Sequence, residues 1–306
     1  MEPVRTHTVV ARDGWRLSVR DVGPEVPQGA VVVAGHAMMV DGRTILRDDR
    51  PCLGWTLAAA GHRVLVPDLR GHGDSGPTPA EGGRWTYDDL VADVACYLDL
   101  AQRLAPGVPV GFVGHSLFGH VSLAAAGTRP DVFRWPDVCG IVALGVDVWL
   151  PGAEPDPFVR AVKHLALRVS GRLVRSLGRF PSRALRIGSC DEPAAYWAGF
   201  DRLLSDGYVG DDGTDYAAAM TQVSVPVLHV VSHGDRFLAR PASALALTRR
   251  VPQAEVEVVG RRGHVGATGP GHMALVTDPT ASRPVWHRIA SWLRRKADAA
   301  RAAAAA

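Results

Sequence analysis

Residues 110–120 read VGFVGHSLFGH and join a strand-like half to a helix-like half through a single serine. The apolar run at residues 110–113 predicts a strand, and residues 117–126 predict a helix. A strand that turns directly into a helix, with serine at the apex, is the setting of a nucleophile elbow. Gly114 supplies the small neighbour that such a turn needs. Ser116 is therefore the candidate nucleophile; the alternative is an ordinary strand-to-helix turn.

The stretch departs from the usual G-x-S-x-G pattern at one position. Phe118 stands two residues after the serine, where the pattern has glycine, and the second glycine follows as Gly119. A bulky side chain at this position has to point away from the turn. We expect the Phe118 ring in the wall of a substrate pocket.

Strand-like and helix-like segments alternate on both sides of this stretch. Further strands are predicted at residues 6–11, 16–22, 30–34, 63–67, 140–144, 225–231 and 255–259, and further helices at residues 53–60, 87–104, 242–250 and 285–296. Such alternation predicts an α/β fold, with a mostly parallel central sheet and helices on both faces.

One long segment interrupts the alternation between two core strands. It has helical stretches at residues 157–177 and 193–204 and no clear strand pattern. We interpret residues 149–220 as a helical cap, and residues 1–148 and 221–296 as the core of the fold. The alanine-rich end, residues 297–306, is predicted to be disordered or frayed.

Composition limits the classes of partner. The chain has 306 residues, of which 47% are hydrophobic and 21% charged, with a formal net charge of +3. These values are typical of a globular protein with a sizeable core. The basic residues form no recognisable nucleic-acid-binding module, and no group of side chains has metal-ligand spacing. We therefore expect no nucleic-acid partner and no metal.

Targeting signals and cysteine usage indicate the compartment. The N-terminus lacks the layout of a signal peptide, and no apolar run approaches the ~20 residues needed to span a bilayer. The cysteines lie far apart and form no C-x-x-C pair, which favours free thiols and a reducing compartment; they are Cys52, Cys96, Cys139 and Cys190. We expect a cytoplasmic protein. The sequence does not indicate an oligomeric state.

A nucleophilic serine needs a base, and the base needs an acid that orients it. Asp235 follows the strand at residues 225–231 within a glycine-containing turn, and it is the candidate acid. Asp206 and Asp212 are poorer candidates because they belong to the cap. Two histidines follow the next strand; we favour His272, which precedes an apolar run, and keep His264 as the alternative base.

Backbone donors are also needed for the negative charge that develops on the substrate oxygen. One is expected at the N–H of Leu117, directly after the nucleophile. The other is expected in the loop after the strand at residues 30–34, from Met38 or, as second choice, Ala37. His36 in the same loop is interpreted as a structural ring.

With these residues identified, the chain resembles the α/β-hydrolase superfamily over nearly its whole length. The matching motifs are GHAMM (35–39), PDLRGHGDSG (67–76), GHSLFG (114–119), SHGD (232–235) and GHM (271–273). The His272-Met273 pair before a tryptophan-containing final helix is similar to the bacterial lysophospholipase-like and predicted-esterase branch. The resemblance implies transfer of an acyl group from a carboxylic ester, thioester or lysophospholipid to water through an acyl-serine, without a cofactor. A serine nucleophile argues against dehalogenase or epoxide hydrolase chemistry.

Two other functions remain open at this point, an acyltransferase on the same scaffold and a non-catalytic binding protein that kept the fold. A basic segment of the cap could contact either solvent or anionic lipid. It contains Arg160, Lys163, Arg168, Arg172, Arg175 and Arg179, alternating with apolar residues and without an acid. This pattern favours a solvated lid whose apolar face lines the pocket; the alternative is peripheral contact with anionic lipid. The expected ligand is a small acyl substrate.

Overall fold

The computed structural model describes residues 3–147, 149, 152–203, 207–260 and 269–306. In chain order the strands of these residues are β1 (Arg5–Val10), β2 (Arg16–Val22), β3 (Val31–Gly35), β4 (Arg63–Pro67), β5 (Val110–His115), β6 (Val138–Leu144), β7 (Arg179–Phe180), β8 (Glu192–Pro193), β9 (Val227–Ser232) and β10 (Glu255–Val259). The α-helices are α1 (Leu53–Ala59), α2 (Tyr87–Leu104), α3 (Leu117–Thr128), α4 (Pro157–Leu177), α5 (Ala194–Leu203), α6 (Tyr216–Ala219), α7 (Pro241–Thr248), α8 (Ala274–Thr277) and α9 (Pro279–Ala305).

Eight of the strands form one sheet in the order β1-β2-β4-β3-β5-β6-β9-β10. The strands from β4 to β10 in this order are parallel, while β1 and β2 pair antiparallel at one edge. This arrangement confirms the predicted α/β fold. Because parallel strands end at the same edge of a sheet, the loops after β3, β5 and β9 meet there.

Helices cover both faces of the sheet, and the residues of β3 show how. All five residues of this strand are buried. Val31 and Val33 pack into the core cluster that contains α2 and α3 side chains, whereas Val32 and Ala34 pack into the cluster with α1 and α9. The continuous β-branched run is therefore the consequence of burial on both faces.

Side-chain caps set the beginnings of the long helices. The Thr86 hydroxyl accepts a hydrogen bond from the Asp89 N–H, and the Asp89 carboxylate accepts one from the Thr86 N–H, so α2 begins with a capping box. Asp156 accepts from two N–H groups at the beginning of α4, which ends at Gly178 with a left-handed φ of 71°. These local signals explain why the predicted bounds of both helices match the structure.

The chain between β6 and β9 contains α4, the short β7–β8 pair, α5 and α6. Its apolar centre consists of Val174, Phe180 and Trp197, with Met38 and Met39 of the core packed against it. The rings of Phe180 and Trp197 stack at 4.1 Å between centroids. We keep residues 149–220 as a proposed cap and call them the insertion.

The prediction of a frayed C-terminal tail is wrong. Helix α9 continues to Ala305, and Ala297 and Ala300 are fully buried in the core cluster beside α1. Alanine has the highest helix propensity, and its small side chain allows close packing against the neighbouring helix. Arg301 also donates a hydrogen bond to the Gly29 carbonyl, which ties this end of the chain to the core.

None of the helices in the described residues combines the length and apolarity that crossing a membrane requires. All four cysteines are free thiols, with Cys52 and Cys139 buried and Cys96 and Cys190 partly buried.

Candidate active site

Ser116 lies between the end of β5 and the beginning of α3. Its φ of 51° and ψ of −111° are unusual for a residue with a side chain. Such a conformation costs of order 1–3 kcal/mol and persists only where the surroundings hold it. Here the Ser116 N–H donates to the Leu144 carbonyl at 2.9 Å, and its own carbonyl accepts from the His120 N–H. The side chain remains partly exposed although His115 and Leu117 are buried.

The two glycines of the elbow lie against each other. A Cβ on Gly114 would come within 2.1 Å of the Gly119 nitrogen, and a Cβ on Gly119 would come within 2.6 Å of the Gly114 oxygen. No side chain fits at either position without moving the backbone. The displaced second glycine is therefore explained, because position 119 is the one that contacts the strand.

Phe118 does not lie in a pocket wall as the sequence suggested. Its side chain is fully buried in the core, where it packs on Gly35 and lies 6.1 Å from the Tyr97 ring centroid. The helix turns this position toward the sheet, so the ring points away from the Ser116 side chain.

Asp235 follows β9 and is almost completely buried. Its carboxylate accepts hydrogen bonds from the N–H groups of Phe237, Leu238 and Ala239, and from His272 Nδ1 at 2.6 Å. Burial disfavours the charged carboxylate, but the His272 hydrogen bond and the backbone donors outweigh it and lower the pKa of Asp235. Asp235 is therefore ionised at neutral pH and fixed in orientation.

His272 lies in the loop before α8, and its contact with Asp235 determines its tautomer. A carboxylate accepts only, so Nδ1 carries a proton, and the neutral ring therefore has its free electron pair on Nε2. This is the state that a general base requires. Leu275 of the apolar run that follows is fully buried, as expected for an anchor of this loop.

His115 lies beside the candidate site and was missed by the sequence analysis. Its Nε2–H donates to the His272 carbonyl at 3.0 Å, and the two rings lie 4.8 Å apart. Burial, reinforced by the neighbouring His272, holds the pKa of His115 well below its usual range, so the ring is neutral. Because His115 directly precedes Ser116, this contact joins the loop of His272 to the elbow. Its partner is 157 residues away, and no local signal indicates it.

The structure describes only some of the other residues considered for the site. His264 and Asp206 lie outside the described residues, so the preference for His272 over His264 stays a prediction. Asp212 accepts a hydrogen bond from the Thr214 N–H within a turn of the insertion. His36 uses one ring nitrogen on the Ala37 carbonyl and the other on the Leu69 N–H, which is a structural arrangement.

The loop after β3 contains Met38, from which the second oxyanion donor is expected. Met38 is partly buried, and Met39 adopts a left-handed φ of 63°. The Met39 N–H donates to Glu192 at 2.7 Å, and its carbonyl accepts from the N–H groups of Ser189 and Cys190. The loop is thus bound to the insertion on both sides of Met39. The assignment of Leu117 and Met38 as oxyanion donors stays a prediction.

The basic helix α4 has two apolar faces rather than one. Leu167, Gly171 and Val174 are buried against the core, while Phe158, Val162, Leu165 and Val169 on the opposite side are 76%, 37%, 59% and 53% exposed. Lys163 belongs to the buried side, where it pairs with Asp147 at 3.1 Å and Glu154 at 3.4 Å. A second apolar row therefore faces solvent, and the expectation that the buried face lines a pocket stays a prediction.

The chain matches a known hydrolase family over about half of its length. The sequence model of the Hydrolase_4 family, described as serine aminopeptidase S33, matches residues 48–207. The chain belongs to this family. Membership of Hydrolase_4 confirms the resemblance to α/β-hydrolases that the motifs indicate.

Individual relatives are similar over shorter stretches. A monoglyceride lipase of Mus musculus is 31% identical over 128 residues, which are 41% of this chain and 39% of that protein. An sn-1-specific diacylglycerol lipase of Mus musculus is 33% identical over 110 residues, 35% of this chain and 31% of that protein. The matches therefore span well under half the length of these relatives.

A solved structure superposes on nearly the whole of this chain. A thermophilic esterase from Thermogutta terrifontis superposes with a TM-score of 0.62 at 20% identity, over 96% of this chain and 99% of that one. At this level of identity the likeness shows the shared fold.

Proposed function

We propose that the chain is a serine hydrolase that cleaves carboxylic esters through an acyl-serine, with Ser116, His272 and Asp235 as its catalytic triad. The observation that carries the proposal is the hydrogen bond between Asp235 and His272 Nδ1, which leaves Nε2 as a free base. Membership of a hydrolase family and the strained serine turn at the end of β5 support it.

In the first half-reaction, the Ser116 hydroxyl oxygen attacks the ester carbonyl while His272 Nε2 removes its proton. Asp235 stabilises the imidazolium that forms. The N–H groups of Leu117 and Met38 bind the oxyanion of the tetrahedral intermediate. The carbon–oxygen bond to the alcohol then breaks, and the alcohol leaves with the proton from Nε2.

In the second half-reaction, Nε2 removes a proton from water, and the hydroxide attacks the acyl-serine carbonyl. Collapse of this intermediate releases the carboxylic acid and returns the proton to Ser116. No cofactor takes part in either half. An acyltransferase would follow the same first half and pass the acyl group to an alcohol or amine instead of water.

The relatives indicate a class of substrate. Two of them are named as lipases of monoglycerides and diacylglycerols. The insertion contributes an apolar cluster, Val174, Phe180 and Trp197, that packs against Met38 beside the proposed oxyanion site. Both observations favour an apolar acyl chain, including that of a lysophospholipid or a thioester. We further propose a cytoplasmic location, which the four free thiols support.

The test is hydrolysis of p-nitrophenyl esters of increasing acyl length by the wild type, Ser116→Ala, His272→Ala and His264→Ala. Loss of a triad member should lower kcat by about 10⁴ or more. We expect the first two variants to be inactive and His264→Ala to remain active. An added alcohol acceptor, with product analysis, distinguishes hydrolysis from acyl transfer.

A fluorophosphonate probe provides an independent measurement, because it labels an activated serine without turnover of an ester. If the wild type and Ser116→Ala are equally inactive and Ser116 is not labelled, the hydrolase proposal is wrong. A non-catalytic binding protein is then the better description.

A further inference from the structure

Glu192 of β8 lies at the contact between the insertion and the loop after β3. It has no exposed surface. Its Oε1 accepts a hydrogen bond from the Met39 N–H at 2.7 Å and lies 3.0 Å from His72 Nε2. Its Oε2 is buried and has no hydrogen-bond partner among the described residues. One carboxylate oxygen therefore joins three separate parts of the chain.

The protonation of this pair follows from its other contacts. His72 Nδ1 faces the Arg70 carbonyl at 2.7 Å, so it must carry a proton. The contact between Nε2 and Glu192 then contains a single proton, so the pair of His72 and Glu192 carries no net charge. Burial of His72 favours its neutral form, but the charge of Glu192 and its hydrogen bond raise the pKa of His72. A fully buried acid is thus neutralised by its neighbour.

Met39 needs such a partner because its own conformation is unfavourable. The φ of Met39 is 63°, in the left-handed region that favours glycine. A residue with a side chain adopts this conformation at a cost of about 1–2 kcal/mol. The insertion approaches closely enough to hold it, since a Cβ on Gly188 would come within 2.3 Å of the Met39 oxygen. Without the Glu192 hydrogen bond, rotation at Met39 would turn the peptide that joins it to Met38.

We propose that Glu192 is a positioning residue of the oxyanion site, which the insertion supplies and which acts through the Met39 backbone to orient the Met38 N–H. The inference rests on the proposed function, because it assigns Met38 as an oxyanion donor. Glu192 contacts no substrate in this role.

The pairing with His72 explains how a carboxyl group can lie beside the proposed oxyanion site. A lone carboxylate beside the loop would oppose the negative charge that develops on the substrate oxygen. The proton shared with His72 leaves the pair without net charge, and Oε1 still accepts from the Met39 N–H. The two residues lie 120 positions apart and meet only when the insertion lies on the core.

The experiment compares Glu192→Ala and Glu192→Gln with Asp191→Ala, using the p-nitrophenyl ester that the wild type cleaves fastest. Asp191 is the matched control, because this neighbouring acid pairs with Arg179 and the Arg183 N–H and not with Met39. Loss of orientation should lower kcat of Glu192→Ala on the order of 100-fold, with KM nearly unchanged. Glu192→Gln keeps an oxygen that accepts from Met39 and should stay within about tenfold of the wild type. Asp191→Ala should match the wild type.

Hydrogen exchange of the peptide covering residues 36–42 is the second readout, and it needs no turnover. We expect faster exchange in Glu192→Ala and wild-type protection in Glu192→Gln and Asp191→Ala. The inference is overturned by a folded Glu192→Ala with wild-type kcat, by a change in KM alone, or by unchanged exchange.

The outcomes also separate this inference from the proposed function. If the wild type is inactive, the proposed function fails, and the exchange measurement still decides whether Glu192 holds Met39. If Glu192→Ala does not accumulate as folded protein, Glu192→Gln decides. A 100-fold loss of its kcat, with the exchange of residues 36–42 still protected, overturns the inference.

Discussion

The ring of Phe118 fills the space that a side chain at position 35 would need, because a Cβ on Gly35 would lie 2.1 Å from the ring Cγ. Gly35 is the last residue of β3 and pairs in register with Gly114 of β5. A bulky residue two positions after the serine is therefore accommodated by a glycine on the neighbouring strand.

We expect Gly35→Ala to lower the free energy of unfolding by about 1–3 kcal/mol, since the added methyl group overpacks the core. Urea denaturation measures the change. The control is Gly199→Ala in α5, where nothing lies within 4 Å of an added Cβ. Alanine favours the helix there by up to about 1 kcal/mol. Equal stability of Gly35→Ala and the wild type would contradict the contact.

Asp235→Asn should lower kcat by about 10⁴, because an amide can donate to His272 Nδ1 and so favour the wrong tautomer. The matched control is Asp212→Asn, whose carboxylate accepts only within its own turn of the insertion. Steady-state kinetics on one ester, with circular dichroism to verify folding, gives the comparison. Activity of Asp235→Asn within tenfold of the wild type would rule out the acid that we assign.

Stability at low pH should depend on Asp21. Burial opposes its charge, but hydrogen bonds from Arg63, Arg5 and His7 outweigh burial and lower its pKa from 3.8 to about 2. A carboxyl group whose pKa is lower in the folded state stabilises the fold at pH values above its ordinary pKa, here by about 2 kcal/mol. This contribution is lost as the pH falls from about 4 to about 2.

Asp21→Asn should therefore abolish the loss of stability between about pH 4 and pH 2. It should also destabilise the protein at neutral pH, because buried Arg63 loses its charged partner. Denaturation curves across this pH range measure both effects. Asp49→Asn removes an exposed acid that pairs with Arg47 and should leave the pH profile unchanged. A wild-type profile in Asp21→Asn would show that other groups determine acid stability.

The exposed row on α4 predicts contact with anionic lipid, since the helix has no acid and carries exposed Arg168 and Arg172 near the row. We expect co-sedimentation with vesicles of anionic phospholipid and not with neutral ones, and its loss in Leu165→Ser/Val169→Ser. Val26→Ser/Val256→Ser removes two valines elsewhere that are 85% and 43% exposed, and it is the control. Binding that survives Leu165→Ser/Val169→Ser would place the contact on another surface.

Much of the site could be predicted because its residues follow strands. Ser116 comes directly after β5 and Asp235 shortly after β9, and parallel strands bring such positions to one edge of the sheet whatever their separation in sequence. The alternation of strand-like and helix-like segments, and the capping residues of the helices, likewise depend on neighbours that are close in the sequence. Sequence reasoning succeeds where the determinant is local.

The remaining features depend on contacts that no local pattern encodes. Glu192 meets Met39 across 153 residues, and the accommodation of Phe118 depends on Gly35. The outward row of α4 and the ordered end of α9 depend on which neighbours happen to pack there. Apolar periodicity predicts a helix, but it does not say which of two apolar faces meets the core.

The three hydrogen bonds between Met39 and residues 189–192 have a consequence for the timing of the reaction. Under the proposed function, a movement of the insertion away from the core to admit substrate or release product would break these bonds and free the strained Met39 backbone. Opening and catalytic competence then exclude each other. An open molecule would be switched off by its own geometry, so an ester would meet a working site only after it is enclosed.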